Sequence, residues 1–288
     1  MPSGYRFSLI AALLLTSLAA GLHAAAPALV TEPAAAKIEP GGRPPVSHKK
    51  GVGLAERRGL GIAQLEAINV AWYYNWGPTT KLHTRAQFVP MIWSTKSLDA
   101  KVAGEYVLGY NEPNHPKQAN LSVREALETW PRITMKAKYA DSPAMAGNPV
   151  KGEWFPAFMR ANPKVDFVTV HWYGGVDAKR FIKYVEAVHE KYGKPIWVTE
   201  FAPQTVASSA AQPNKYTQRQ VDQFIDATIR WLEKTSYVQR YAWHHSYTGT
   251  SALFDETGKL TATGRKYAAA HAVSKKPKNR DAARSPPQ

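Results

Sequence analysis

The sequence predicts an α/β fold in the form of a (β/α)8 TIM barrel, with irregular or missing helices in its first half. Three observations lead to this prediction. Short apolar segments alternate with amphipathic helical segments, which implies a parallel sheet. About eight such apolar segments occur, and eight strands close a barrel. The chain has 288 residues, of which 44% are hydrophobic, and this is enough for one barrel-sized core.

Eight segments are candidate buried strands, and all of them except 142–148 contain Val, Ile, Tyr or Trp, which are typical of strands. They cover residues 51–54, 68–76, 88–93, 106–111, 142–148, 165–173, 196–200 and 238–245. Side chains alternate between the two faces of a strand, so Trp72, Tyr74 and Trp76 share one face of the second segment. By the same rule, Trp172 in the sixth segment points outward to the helices.

Four segments in the second half have apolar residues at helical spacing. They cover residues 122–138, 178–192, 216–234 and 263–273. Ser122 and Glu125 form a capping box at the start of the first, while Asp177 caps the second and Gly193 ends it. No helix longer than about two turns is expected in residues 76–87, so the barrel wall is irregular there.

Two glutamates follow buried strands. Glu112 lies between Asn111 and Pro113, where the proline ends the fourth strand, and Glu200 ends the seventh. The C-terminal ends of barrel strands carry the chemistry, and strands four and seven face each other across the mouth. A carboxylate pair that faces one sugar linkage is the minimum apparatus of a glycosidase. Either glutamate alone is explained equally well as a structural carboxylate, but the pair favours catalysis.

Several motifs resemble those of glycoside hydrolase family 128, and the resemblance covers roughly residues 51–267. The motifs are Leu-Gly-Tyr-Asn-Glu-Pro-Asn at 108–114, Gln-Ala-Asn-Leu-Ser-Val at 118–123 with Trp130 following, Val-His-Trp-Tyr at 170–173, Trp-Val-Thr-Glu-Phe at 197–201 and Tyr-Ala-Trp at 241–243. Asn-Glu-Pro alone identifies only the larger clan of barrels, whereas its continuation into the second motif is much more specific. The resemblance implies internal hydrolysis of β-1,3-glucan with retention of anomeric configuration.

The resemblance also implies roles for individual residues. Glu112 resembles the acid/base and Glu200 the nucleophile, while Asn111 resembles the asparagine that binds the substrate's 2-hydroxyl group. His171 and Tyr173 resemble the residues of strand six that orient the nucleophile and line the cleft.

Three further residues are candidates for substrate binding. Trp243 resembles the residue that stacks on sugar after strand eight, Asn114 belongs to the Asn-Glu-Pro-Asn motif, and Trp76 at the end of strand two is a candidate sugar platform. The loop at residues 244–247 is polar and aromatic, which departs from the family pattern and leaves the subsite shape open.

The proposed chemistry needs a proton on Glu112 and a negative charge on Glu200, which donors such as Tyr173 or His171 would maintain. No cofactor and no metal is expected. The adjacent His244 and His245 point to opposite faces of a strand and therefore do not share a metal ion. The absence of cysteine excludes thiol catalysis and cysteine metal sites.

Four regions are predicted: a signal peptide at residues 1–24, a linker rich in Ala and Pro at 25–47, the catalytic barrel at 48–274 and a basic disordered tail at 275–288. Residues 1–24 have a basic start and an apolar centre that is too short to span a membrane comfortably. We therefore expect a secreted or periplasmic protein without a membrane span.

The net charge is +15, but the basic residues are scattered and no nucleic-acid motif accompanies them. The charge is explained by adhesion to an anionic envelope or polysaccharide, or by solubility alone. The expected partner is a β-1,3-glucan polysaccharide or oligosaccharide, and no nucleic acid is expected to bind. The protein is expected to be a monomer. Two alternatives stay open: a non-catalytic glucan-binding protein on the same barrel, and a hydrolase of another β-glycan.

Overall fold

The computed structural model describes residues 46–205, 212–244 and 249–270. The predicted signal peptide and tail, and most of the predicted linker, lie outside these ranges. Within them the structure is an α/β barrel of eight strands. The strands are β1 (Lys50–Gly53), β2 (Trp72–Tyr74), β3 (Gln87–Phe88), β4 (Tyr106–Val107), β5 (Tyr139–Ala140), β6 (Val168–Trp172), β7 (Ile196–Phe201) and β8 (Val238–His244).

All pairings between the strands are parallel. Six strands form one sheet in the order β3-β2-β1-β8-β7-β6, and β4 pairs with β5. Single parallel bridges join the two sheets at both gaps, from Met91 to Leu108 and from Asp141 to Phe167. The strands therefore follow one another around a common interior, as the sequence predicts for the TIM barrel.

Six α-helices flank the strands. They are α1 (Ile62–Ile68), α2 (Val123–Thr134), α3 (Trp154–Arg160), α4 (Ala178–Tyr192), α5 (Gln218–Lys234) and α6 (Ala262–Ala269). The prediction of missing helices in the first half is confirmed, because no α-helix joins β2 to β3 and only a 3-10 turn, Thr95–Ser97, lies between β3 and β4. Among the described residues, no helix is both long and apolar enough to traverse a lipid bilayer.

The predicted caps are present. The Ser122 hydroxyl accepts from the Glu125 N–H while the Glu125 carboxylate accepts from the Ser122 N–H, so the capping box at α2 is complete. Asp177 accepts from the Arg180 N–H at the start of α4, and Gly193 ends α4 with a φ of 62°. Glycine adopts this left-handed conformation without the steric penalty that a Cβ brings.

Several element boundaries differ from the sequence prediction, and one helix was not predicted. The second strand starts at Trp72 instead of residue 68, because residues 62–68 form α1 and Asn69 ends that helix at a φ of 53°. The fifth strand lies earlier than predicted, at Tyr139–Ala140, because Pro143 has no N–H with which to continue a ladder. The helix α3 was not predicted; its seven residues are too few for a clear periodic pattern.

Alternate side chains of the strands fill the barrel interior. This inner cluster consists of Trp72, Tyr74, Val89, Met91, Leu108, Phe167, Trp197 and Ala242. The Arg240 guanidinium packs over the Trp197 ring at 4.4 Å and over the Tyr106 ring at 4.8 Å, a cation–π arrangement in the interior. The interior is thus packed solid, and polar side chains that serve chemistry collect at the C-terminal strand ends.

Candidate active site

Glu112 follows β4 in an unusual backbone conformation. Its φ is +44°, which costs a non-glycine residue about 1–3 kcal/mol. The Glu112 N–H donates to the Ala144 carbonyl at 2.7 Å, and the Asn111 N–H donates to the Trp93 carbonyl at 3.0 Å. These bonds to neighbouring strands hold the turn in place and direct the Glu112 carboxylate toward His171 in the barrel mouth.

Glu200 is the penultimate residue of β7 and is 5% exposed. Both of its carboxylate oxygens accept hydrogen bonds. Oε1 accepts from the Trp76 indole N–H at 2.7 Å and from the Tyr74 hydroxyl at 3.1 Å. Oε2 accepts a short bond from the Tyr173 hydroxyl. A buried carboxylate is costly unless it is paired and hydrogen-bonded, and three donors meet that requirement here.

His171 lies between the two glutamates. Its Nδ1 is 3.0 Å from Glu112 Oε1 and 3.5 Å from Glu200 Oε2. One carboxylate oxygen of each glutamate and a ring nitrogen of His171 all lie within 4.8 Å of one another. The sequence prediction that strands four and seven bring Glu112 and Glu200 together is therefore confirmed as a matter of position.

The electrostatics of this cluster favour a charged Glu200. Burial opposes ionisation, but the charge of His171 and the hydrogen bonds from Tyr173 and Trp76 outweigh it and hold the pKa of Glu200 well below its ordinary value. Burial lowers the pKa of His244, so this ring is neutral near pH 7. Burial also opposes the charge on His171, but Glu200 and then Glu112 outweigh it and raise the pKa of His171. His171 is therefore the cation beside the pair.

Burial and the nearby Glu200 charge raise the pKa of Tyr74 and of Tyr173 well above the ordinary range. Both phenols keep their protons at any physiological pH and therefore act toward Glu200 only as hydrogen-bond donors. Among the described residues, no lysine or arginine forms an ion pair with either glutamate. Phenol, indole and imidazole groups therefore surround the Glu200 charge, and these take the place of a lysine or an arginine.

Asn111 is buried beside Glu112, with 4% exposure. Its side-chain N–H donates to Gln118 Oε1 at 3.2 Å, whereas its Oδ1 is buried and has no hydrogen-bond partner within the described chain. A buried acceptor without a donor costs about 1–3 kcal/mol. The Gln118 bond fixes the orientation of the amide, so this oxygen is an acceptor without a donor next to Glu112.

The structure places Trp243 elsewhere than the sequence predicts. The side chain is 0% exposed, its indole donates to the Ser251 carbonyl, and its ring packs against Phe201, Phe224 and Tyr267 on the helix side of the sheet. The predicted stacking of Trp243 on a sugar is therefore wrong. Alternation along β8 puts Ala242 into the interior and Trp243 outside it.

Two other candidates have defined positions. Trp76 is half-buried at the mouth with a φ of +60°, and its N–H is taken by Glu200, so only its ring is available for a sugar. The exposed Asn114 uses both amide atoms on the backbone of Ala146, at 3.0 and 2.9 Å, and thereby ties the loop after β4 to the loop after β5. A sugar contact by Trp76 or by Asn114 remains a prediction.

Tyr74 and His244 belong to the site but were missed as functional residues. Tyr74 shares the inward face of β2 with Trp72 and Trp76, which is a detectable signal. His244 shares the inward face of β8 with Ala242, and it was considered only as a metal ligand. The other histidine near Glu112, His115, accepts a local bond from the Lys117 N–H and lies in the loop.

The cluster of Glu112, His171 and Glu200 also has the composition of a metal site. The donor set argues for a different use. Tyrosine and tryptophan protons occupy both oxygens of Glu200, and a ligand oxygen must direct a lone pair at the ion. The arrangement fits a hydrogen-bonded nucleophilic carboxylate better than a metal ligand.

Comparisons with known proteins agree with this geometry. The family model described as "Glycosyl hydrolase catalytic core" matches residues 56–267. A solved endo-β-1,3-glucanase of family 128, subgroup I, from Amycolatopsis mediterranei, in complex with laminaritriose and laminaribiose, is 31% identical. It covers 78% of this chain and 100% of its own, with a TM-score of 0.69. An exo-β-1,3-glucanase of subgroup V from Cryptococcus neoformans is 26% identical over 76% of this chain and 97% of its own, with a TM-score of 0.65.

A curated relative, alkali-sensitive linkage protein 1 of Schizosaccharomyces pombe, is 28% identical over 245 residues. The match covers 77% of this chain and 44% of that protein. The chain thus spans less than half the length of this relative.

Proposed function

Because the chain belongs to glycoside hydrolase family 128, we propose that it hydrolyses β-1,3-glucan internally, with retention, by a double displacement between Glu112 and Glu200. The single observation that carries this proposal is the juxtaposition of the two carboxylates across His171, with oxygens within 4.8 Å. Retaining enzymes hold the two carboxyl groups about 5–5.5 Å apart, whereas inverting enzymes leave about 6.5–9.5 Å for a water molecule.

In the first step a Glu200 oxygen attacks the anomeric carbon while Glu112 gives its proton to the departing glycosidic oxygen. The carbon–oxygen bond to the leaving sugar breaks, and a glycosyl ester of Glu200 forms. In the second step Glu112 removes a proton from water, the resulting oxygen attacks the same carbon, and Glu200 leaves as a carboxylate. The three donors around Glu200 stabilise the charge that returns at this stage.

His171 supplies the proton that Glu112 needs in order to act as the acid. The 3.0 Å bond between His171 Nδ1 and Glu112 Oε1 holds one proton. With the proton on His171 the pair is an imidazolium and a carboxylate; with the proton on Glu112 both groups are neutral. The net charge of the cluster is the same in both arrangements. The proton can therefore move to Glu112 without uptake from solvent when a substrate displaces water from the cleft.

Substrate recognition follows from the free groups of the mouth. The Oδ1 atom of Asn111 has no donor within the described part of the chain and is placed beside Glu112, and we expect it to accept from a sugar hydroxyl. The Trp76 ring at the same edge offers an apolar face for the sugar ring. The solved relative from Amycolatopsis mediterranei binds laminaritriose and laminaribiose, and this supports a β-1,3-linked glucan as the substrate.

The test is the release of sugars from linear β-1,3-glucan. We expect a mixture of oligosaccharides, with the β-anomer of the first product seen by NMR before mutarotation. Glu112→Gln and Glu200→Gln should each lose more than about a hundredfold in turnover, because each removes a group that acts in the transition state, while laminari-oligosaccharide binding persists. Normal turnover in either variant would remove that residue from the mechanism, and an inverted first product would end the double displacement.

The same assays separate the alternatives. A non-catalytic glucan-binding protein would bind laminari-oligosaccharides and release no sugar. A hydrolase of another β-glycan would release sugar from a panel of β-1,4 or mixed-linkage glucans and not from the β-1,3-glucan. Export by a signal peptide at residues 1–24 is also part of the proposal, and mass spectrometry of the mature N-terminus would test it.

A further inference from the structure

His244, at the end of β8, points into the barrel mouth. Alternation along β8 directs Arg240, Ala242 and His244 to the interior, while Tyr241 and Trp243 pack on the helix side. The His244 ring meets the Trp76 ring edge-on, with centroids 5.5 Å apart and planes at 73°. It meets the Tyr173 ring in the same way, at 5.3 Å and 87°.

These two neighbours are the donors that reach different oxygens of Glu200. Trp76 donates to Oε1 and Tyr173 donates to Oε2. A single ring between the two donors therefore sits where it limits the movement of both. No other described side chain has ring contacts with both Trp76 and Tyr173.

The neighbouring strand β1 has a glycine, Gly53, where a side chain would collide with the Trp76 indole. Gly53 is the register partner of His244 on one side and of Tyr74 on the other. A Cβ at Gly53 would lie 2.9 Å from two atoms of the Trp76 indole. The indole thus lies directly over the backbone of β1, and His244 is a lateral neighbour that keeps it from sliding away from Glu200.

The ring contacts of His244 with Trp76 and Tyr173 are edge-on packing contacts. The His244 Nδ1 is buried without a hydrogen-bond partner in the described part of the chain, so a bond at that atom does not set the ring's orientation. The titratable groups that face it are Glu200, Glu112 and His171, together with the phenol of Tyr173. Burial lowers the pKa of His244, so near pH 7 the ring acts by its shape rather than by its charge.

We propose that His244 is a positioning residue for the nucleophile, and that its ring holds the Trp76 indole and the Tyr173 phenol on the two oxygens of Glu200. The inference rests on the proposed function, because it assigns Glu200 as the nucleophile. Its consequence is specific: the hydrogen bonds to Glu200 depend on a ring at position 244, and the imidazole nitrogens are dispensable.

Two substitutions separate shape from chemistry. His244→Ala removes the ring and should lower kcat about tenfold, the effect expected when one hydrogen bond to a charged group is lost, while KM does not rise. His244→Phe restores a ring of similar shape and should recover most of kcat. His83→Ala, which removes an exposed histidine, is the matched control and should behave as the unmodified protein. If His244→Ala does not fold, His244→Gln fills the space without a ring and takes its place.

A rise of KM in His244→Ala together with failure of His244→Phe would overturn the proposal, since that pattern indicates a direct polar contact with the sugar. Unchanged kcat in both variants would also overturn it.

A double-mutant cycle tests whether His244 acts through Trp76. Trp76→Phe keeps a ring and removes the indole N–H that Glu200 Oε1 accepts. If His244 acts by holding that indole, the loss in the double variant His244→Ala/Trp76→Phe is smaller than the product of the two single losses. If the loss of kcat in the double variant equals the product of the two single losses, His244 does not act through Trp76. If the hydrogen bond from Tyr173 to Glu200 is also unchanged in His244→Ala, the ring acts through neither donor.

One readout needs no substrate. The Trp76 indole proton, assigned by its disappearance in Trp76→Phe, should give a downfield 15N–1H signal in the unmodified protein because its acceptor is charged. We expect the signal to move upfield in His244→Ala and to return in His244→Phe. An unmoved signal refutes the positioning role even if the protein hydrolyses glucan. An unmodified protein that cleaves no glucan would instead refute the proposed function, while the shift would still support the packing role.

Discussion

The hydroxyl of Tyr74 is the most informative single atom to remove from the site. Tyr74 is buried in the barrel interior, and its hydroxyl donates to the Thr199 carbonyl at 3.0 Å and to Glu200 Oε1 at 3.1 Å. Tyr74→Phe deletes this oxygen and keeps the ring that packs against Trp72 and Trp76. The change therefore tests the donor without opening the core.

A hydrogen bond to a charged group contributes about 1.5–3 kcal/mol. Trp76 still donates to the same oxygen at 2.7 Å in the variant, so we expect the lower end of that range, which corresponds to about tenfold in rate. The loss should fall on kcat, because in the proposed mechanism the donor stabilises the Glu200 carboxylate as it leaves the glycosyl intermediate. KM should fall with kcat, since the intermediate accumulates.

The pH dependence has a definite sign. The Tyr74 donor favours the ionised form of Glu200, so its removal raises the pKa of Glu200. Attack needs the ionised form, and the acidic limb of kcat/KM therefore moves to higher pH, by about one unit for 1.4 kcal/mol. At a pH above this limb Glu200 is still charged, so the fall in kcat persists there.

The assay combines pH profiles with rapid mixing on an aryl laminaribioside, in which a burst of the aryl alcohol reports the accumulated intermediate. The neighbour Tyr73 provides the control. Its hydroxyl donates to Thr80 on the outer side of β2, so Tyr73→Phe should leave the kinetics unchanged. If Tyr74→Phe shows neither a lower kcat nor a displaced limb, the hydroxyl does not support the nucleophile and the reasoning fails.

Substitutions at two further positions test the scaffold. In Gly53→Ala the new Cβ would lie 2.9 Å from the Trp76 indole, so we expect at least about a tenfold fall in kcat with an unchanged circular dichroism spectrum; full activity would show that the indole is not held there. Asp141 accepts from the Gly109 N–H at 2.5 Å and from Thr169, and burial raises its pKa well above the ordinary value. A raised pKa in the folded state means that ionisation of Asp141 lowers the stability of the protein once the pH exceeds the pKa of this residue in the unfolded chain. Asp141→Asn, which cannot ionise, should therefore unfold at a urea concentration at least as high as the unmodified protein at pH 7. Asp141→Ala removes the acceptor and should lose about 1–3 kcal/mol of unfolding free energy. A less stable Asn variant would contradict this.

The second half of the barrel could be predicted well because its signals are local. Ser122 with Glu125, and Asp177 with Gly193, mark helix ends through bonds within four residues of chain. Glu112 and Glu200 are also marked locally, because each is a single charged residue that follows a mainly apolar run. Counting strands from such local marks was enough to place the two glutamates across one mouth.

The first half was harder because its structure depends on distant partners. The strands β3, β4 and β5 are two residues long each, and the single bridges Met91–Leu108 and Asp141–Phe167 complete their connections. Short strands of this kind are shaped by what they pack against. The Tyr106 and Tyr139 rings stack at 5.3 Å across β4 and β5, a contact between residues 33 positions apart that no local pattern reveals.

The error at Trp243 has a different origin. Strands of a parallel barrel are buried on both faces, so both faces are apolar and polarity does not indicate which one points inward. Tyr241 and Trp243 share one face of β8, and Ala242 and His244 share the other. Trp243 was assigned to the site only through its resemblance to a family residue, but Trp243 and Tyr241 pack against α5 and α6. The small Ala242 makes room in the interior for Trp72 and Trp197.

Glu200 itself would face the helices if β7 alternated without interruption. Trp197 points into the interior and Val198 points out, so regular alternation would turn Thr199 in and Glu200 out. The register with β6 shifts at this point, since Val170 pairs with Val198 but His171 pairs with Glu200. One residue, Thr199, is thus extra in β7, and a bulge of this kind re-aims the following side chain. The bulge brings Glu200 to the same face as His171, and it leaves the buried Thr199 hydroxyl without a partner in the described chain. A stretch of sequence carries no sign of such a shift, which arises only when the neighbouring strands pair.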